Sequence, residues 1–185
     1  MHTTVDWDTT IKMIREDFVR YTGKKNVSVF VFFMKFFHNP GMSFSLWYRV
    51  IRFLLYHKFI LFRALGLGVY PLYFFITYYV FDYHIEPDVC IAGGLFLHNR
   101  SVVITNNTII GRNASIMGQV TIGTGFETND FDIRIGDNVQ IGAGAKIIAK
   151  GTLRITNNVT IGANAVVVKD IKKSGVYAGV PAKRL

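Results

Sequence analysis

From residue 104 onward, apolar positions recur every six residues. Ile104, Ile110, Ile116 and Ile122 keep that step, it resumes at Ile135, Ile141 and Ile147, and it resumes again at Ile155, Ile161 and Val167. A helix would repeat at 3.6 residues and a half-buried strand at 2. A period of six predicts a chain wound as a prism, a parallel β-helix in which three flat faces make a coil of about 18 residues. Each repeated aliphatic residue points to the axis. The glycine after it, as at Gly111, Gly123, Gly136, Gly142 and Gly162, is expected to let the backbone turn. Ile91, Leu97 and Val103 begin the pattern, and a slip of one residue to Ile104 predicts a bulge or a corner insertion. Residues 124–134 interrupt it with polar and acidic residues, as expected of a corner excursion. Two extra residues delay Ile155, and the repeat is expected to stop at Lys169.

The first half follows a different pattern. Ile11, Ile14, Phe18 and Tyr21 form a helical stripe over residues 8–21, with Asp8 or Thr9 as cap and Gly23 as terminator. Residues 27–37 are apolar and fit either helix or strand. Residues 43–63 predict a helix whose polar side carries Arg49, Arg52, Lys58 and Arg63. Residues 64–81 hold no charge, a length at the lower bound for a membrane span. Gly66, Gly68, Pro71 and the many aromatics favour a helix buried in an oligomer or laid on a membrane face over a true span.

Composition sharpens the boundary. Of 27 aromatic residues, 23 lie at or before Tyr83, and 13 of 17 glycines lie after it. The expected organisation is a helical, aromatic-rich region over 1–82 and a β-helix over 83–185. The chain carries a net charge of +9, with 10 basic and 4 acidic residues in 1–80. Such an excess suits an anionic surface or ligand. No basic run or aromatic–basic module points to nucleic acid. A lone cysteine, Cys90, allows no internal disulfide and fits a reducing compartment. The polar N-terminus lacks the form of a secretory signal, so a cytoplasmic site, or the cytoplasmic face of the inner membrane, is the expectation.

Candidate chemistry is sparse. Among five histidines only His84 and His98 fall in the repeat region, which is too few for a zinc centre. His98, next to Asn99, could act as a general base near pH 7, or be a corner histidine with no task. Glu127, Asp130 and Asp132 could orient a polar acceptor or simply solvate the excursion. Lys169, Lys172, Lys173, Lys183 and Arg184 could meet nucleotide phosphates or keep the end of the coil soluble.

The runs IEPDVCIAGGLFLHN, SIMGQVTIG, IRIGDNVQIGAGAKII and NNVTIGANAVVVKDIKKSGVYAGVPAK together resemble the serine acetyltransferase-like branch of the left-handed β-helix (hexapeptide-repeat) acyltransferases, over residues 84–185. The segment NPGMSFSLWYR looks more like the polysaccharide-pathway relatives of that branch. The resemblance implies a mainly β fold, a left-handed parallel β-helix after a small helical region. It implies homotrimers, with acetyl-CoA in a groove between neighbouring coils and no metal. It implies that His98 is the catalytic base and that His84 replaces an orienting Asp. Asp82 or Glu86 would be alternative carboxylates. Ala143, Gly162 and Ala163 fall where the family contacts the CoA arm, with Gly123, Thr124, Lys169 and Lys183 as further cofactor contacts. Phe131-Asp132 replace an Arg-His pair that grips serine's carboxylate in the family. The resemblance therefore implies an O-acetyltransferase acting on a sugar hydroxyl, with serine as the alternative acceptor and a non-catalytic scaffold as the alternative of another class.

Overall fold

A computed structural model of the chain describes residues 5–24, 28–125 and 131–185. Among these residues the strands form three sheets, and the chain visits them in strict rotation. The first coil is β1 (Tyr83–Ile85), β2 (Cys90–Ile91) and β3 (Phe96–Leu97). The second is β4 (Val102–Ile104), β5 (Thr108–Ile110) and β6 (Ser115–Ile116). The third is β7 (Thr121–Thr124), β8 (Asp132–Ile135) and β9 (Gln140–Ile141). The fourth is β10 (Lys146–Ala149), β11 (Thr152–Ile155) and β12 (Val159–Ile161). Strands β1, β4, β7 and β10 stack in parallel as face A, β2, β5, β8 and β11 as face B, and β3, β6, β9 and β12 as face C.

The period of six becomes three interior columns. Ile104 pairs with Ile122 and Ile122 with Ile147; Ile110 pairs with Ile135 and Ile135 with Ile155; Leu97, Ile116, Ile141 and Ile161 stack in turn. All are buried. Branched side chains one strand spacing apart fill the axis from coil to coil. The slip before Ile104 lies in the corner 98–101, one residue longer than the matching corner 117–119, while Ser101 and Gln119 share a left-handed φ of 63° and 62°.

Two expectations about the coil need correction. Most of the left-handed corners are built from asparagine: Asn107, Asn113, Asn138, Asn158 and Asn164 all have φ between 53° and 57°, beside Ser101, Gln119, Gly94 and Gly144. Asparagine tolerates that region and its amide adds a ladder, Asn113 donating to Asn138 (3.0 Å) and Asn138 to Asn158 (3.1 Å). The repeated glycines serve a different need. A Cβ on Gly136 would lie 2.2 Å from Asn157 Oδ1, and one on Gly142 would lie 2.6 Å from the Ala163 nitrogen, so the next coil leaves no room. Nor does winding stop at Lys169. After β13 (Val166–Val167) on face A, Ile171 bridges to Ile155 on face B, and β14 (Gly175–Ala178) pairs with β12 on face C. Only then does β15 (Lys183–Arg184) turn back antiparallel to β14 and cover its edge.

The helices are α1 (Trp7–Thr22), α2 (Val29–His38), α3 (Pro40–Tyr56) and α4 (Ile60–Phe75), the last continued by a π-helical turn, Ile76–Phe81. Helix α1 is capped by Asp6 rather than by Asp8 or Thr9, its Oδ1 accepting from the Thr9 N–H at 2.7 Å. The helix expected over 43–63 breaks at His57–Phe59. Its expected polar face also inverts. Arg49 and Arg52 are 1% and 6% exposed, because they point into the open end of the coil. Arg49 donates to the carbonyls of Ile91 and Ala92, and Arg52 to those of Pro87 and Val89. Tyr48 donates to the Val89 carbonyl, and Phe44 packs on Tyr83. Helix α3 therefore plugs the first coil and satisfies carbonyls that would otherwise be buried without partners.

Candidate active site

His98 follows the last residue of β3, at the corner leading from face C to face A. Its N–H donates to the Ile116 carbonyl at 3.0 Å. The arrangement repeats below, with Met117 N–H on Ile141, Gly142 on Ile161 and Gly162 on Tyr177, at 2.8–3.0 Å. His98, Met117, Gly142, Gly162 and Ala178 thus stand in one column along one edge of the prism. With strands about 4.8 Å apart, Gly162 lies about 14 Å and Ala178 about 19 Å from His98. Ala143 and Ala163 flank the column, Asn164 N–H donating to the Ala143 carbonyl at 2.8 Å. Lys183 pairs with Ala178 and ends the column. One edge therefore carries a histidine at its head, small residues along its lower part and a cation at its foot.

The imidazole of His98 is exposed but held. Its Nε2 lies 2.8 Å from Ser115 Oγ. Its ring meets Phe96 edge-to-face at 4.4 Å, and Phe96 in turn packs on Tyr21 at 4.5 Å and lies under the Arg20 guanidinium. Partial burial, and next the Arg20 charge, lower its pKa below the ordinary 6.5. Both effects penalise the imidazolium, so the ring is neutral at pH 7 and able to take a proton.

His84 is elsewhere. It lies in the middle of β1 opposite Val103, where its ring stacks on Tyr78 (3.6 Å, 7°) and its Nε2 is 3.4 Å from Asp82 Oδ1. No hydrogen bond among the described residues joins it to His98. Tyr83 and Ile85 turn inward, so the residue between them turns outward, and the π-helical turn lays Tyr78 over it. Neither alternative carboxylate reaches His98: Asp82 accepts from Ser101, and Glu86 sits beside Asp88. The group that orients the imidazole is Ser115. It went unread because it lies one coil away, in an outward position flanked by Ala114 and Ile116.

The remaining candidates divide. Asn99 is exposed, next to His98. Gly123 and Thr124 lie at the following corner, from face A to face B, and Lys169 is at that corner two coils below. Asp132 opens β8 just beyond it, and its carboxylate is paired with Arg134 Nε at 2.7 Å. Phe131 is buried. Glu127 and Asp130 lie outside the described residues. Within one chain, then, the histidine edge and the acidic edge are different edges.

A three-faced parallel coil with a histidine heading a column of small residues defines a class of β-helical protein, and the comparisons narrow it. No family model matches the chain. It is 41% identical to the serine acetyltransferase of Staphylococcus aureus (strain Mu50) over 99 residues, 52% of this chain and 46% of that one. It is 37% identical to the serine acetyltransferase of Haemophilus influenzae over 105 residues, 56% of this chain and 39% of the relative. The chain thus spans less than half the length of the curated relatives it matches. Among solved structures, the serine acetyltransferase of Neisseria gonorrhoeae in complex with serine matches at TM-score 0.75 and 29% identity, covering 96% of this chain and 69% of that one. The soybean serine acetyltransferase apoenzyme matches at 0.78 and 28%, covering 97% and 70%. The structural likeness therefore includes the helices, and the sequence likeness spans about half of the chain.

Proposed function

We propose that the chain is an acetyl-CoA-dependent O-acetyltransferase built on a left-handed coil, with His98 as general base. The observation that carries this is the column from His98 to Lys183. The small residues Gly142, Ala143, Gly162 and Ala163 leave a path along which a pantetheine arm can lie, and Lys183 offers a charge to phosphate at its foot. The acceptor hydroxyl gives its proton to the neutral imidazole as its oxygen attacks the thioester carbonyl. The tetrahedral oxyanion collapses, and the leaving CoA thiolate takes the proton back. With Nε2–H donating to Ser115 Oγ, Nδ1 keeps the lone pair that takes the acceptor's proton. Ser115 brings no negative charge to the imidazolium, unlike an orienting carboxylate.

A homotrimer fits this scheme. The acidic corner at Gly123, Thr124 and Asp132 is remote from the chain's own His98 edge, and a neighbouring copy would bring the two corners together. For the acceptor, serine is the leading reading, since the relatives at 37–41% identity are named for it. The Asp132 carboxylate, whose charge alone would repel serine's carboxylate, is paired with Arg134. A sugar hydroxyl stays as the second reading on one observation: buried Phe131 and paired Asp132 supply no cationic pair for a carboxylate. The test is thiol release from acetyl-CoA with serine and with a panel of nucleotide sugars, for wild type and His98→Ala. Release that requires one acceptor class and falls at least a hundredfold in the variant is expected. Near-normal turnover by His98→Ala overturns the assignment.

A further inference from the structure

Helix α4 and its π-helical turn carry 22 residues, Ile60–Phe81, and an 18-residue stretch of them has a mean hydropathy of 1.6. Only Gly66, Tyr73 and Thr77 are buried, and Val69, Ile76 and Phe81 are half-buried. Apart from Phe81, these lie at helical spacing, at 66, 69, 73 and 76–77, and make one narrow stripe. Gly66 admits the backbone of α3, where a Cβ would meet Leu54 at 3.0 Å, and Tyr73 donates to the Ile85 carbonyl at 3.0 Å. The other sixteen residues are exposed, and none after Arg63 is charged. Leu61, Leu65, Leu67, Leu72, Phe75 and Tyr79 are all at least half exposed. At about 100° per residue these and their exposed neighbours cover more than half the circumference, wider than the stripe one packed helix hides.

We infer that this face docks on an anionic membrane surface. Three observations select lipid over a second copy of the chain. The exposed arc is too wide for one protein contact. Exposed Lys58 and Arg63 flank its start. Tyr78 and Tyr79, aromatic with a polar tip, lie toward its other end. The helix does not cross the bilayer, because Tyr73 and Tyr78 tie its C-terminal half to β1. It lies in the interface instead. Exposed Phe30, Phe33, Met34 and Phe37 on α2 add apolar surface of the same kind.

The inference stands apart from the chemistry at His98. Its test is flotation of the full chain with phosphatidylcholine vesicles, with and without phosphatidylglycerol. Flotation is expected with the anionic vesicles, weakening in high salt. Leu65→Glu/Leu72→Glu is expected to lower the bound fraction at least tenfold without moving the thermal midpoint, since both side chains are exposed. Absence of flotation with either vesicle overturns the inference. So does a wild type of twice the particle mass of the double variant, which would assign the face to a second copy.

Discussion

Asp17 is the residue whose loss should cost the fold most. It lies in the middle of α1 and is 3% exposed. Oδ2 accepts from Arg49 Nε (3.0 Å) and Ser45 Oγ (2.5 Å). Oδ1 accepts from Arg49 Nη2 (3.2 Å) and from the N–H groups of Gly94 and Leu95 (2.8 Å each). One carboxylate thus joins α1, α3 and the turn before β3. Asp17→Ala would strand a buried guanidinium, at about 3–5 kcal/mol, and two buried amides, at about 1–3 kcal/mol each. These overlap and do not add. The expected loss is at least about 4 kcal/mol, against a total of about 5–15 kcal/mol for a typical domain. The assay is urea unfolding followed by fluorescence of Trp7 and Trp47, which sit in α1 and α3, and by circular dichroism. Asp17→Ala/Arg49→Met should recover about 2 kcal/mol or more, because it removes the stranded charge. A loss below about 1 kcal/mol, or a double variant no more stable than the single, would refute the reasoning.

Two further outcomes follow from the His98 edge. The lowered pKa of His98 means that its basic form persists below pH 6.5, so kcat/KM should be flat near neutrality and fall only as pH drops through a midpoint under 6.5. Arg20→Gln removes a neighbouring cation and should move that midpoint up toward 6.5; a pH–rate profile of both proteins checks it, and an unmoved midpoint would discount Arg20. Ala163 is exposed beside Gly162, so Ala163→Tyr should fold normally yet fill the path proposed for the CoA arm. A rise of about tenfold or more in KM for acetyl-CoA, with an unchanged thermal midpoint, is the expected result in steady-state kinetics.

The coil was legible because its cause is local. A branched residue every sixth position has only one way to be buried repeatedly, and the columns Ile104–Ile122–Ile147 and Ile110–Ile135–Ile155 follow directly. The helical region was less legible because its faces are set by partners far away in sequence. Arg49 looks solvated when read against its own helix. Its partners are Asp17, 32 positions earlier, and Ala92, 43 later. No periodicity within residues 43–63 carries that information. The apolar stripe of α1 does face inward, with Ile11, Ile14, Phe18 and Tyr21 half-buried, but the most buried side chains of that helix are Thr10 and Asp17, which no apolar count selects.

The candidate site shows where the period could have carried further. In a coil, the neighbour in space is one circuit away in sequence, for polar residues as much as for aliphatic ones. His98 and Ser115 are 17 positions apart, Asn138 and Asn158 are 20, and Asn113 and Asn138 are 25, the last lengthened by the excursion at 124–134. Seeking the partner of His98 upstream led to His84, which faces Tyr78. A count of one coil, 17 positions downstream, ends at the hydroxyl that holds the imidazole. It also separates Gly123, Thr124 and Asp132 from His98, because they fall at the next corner.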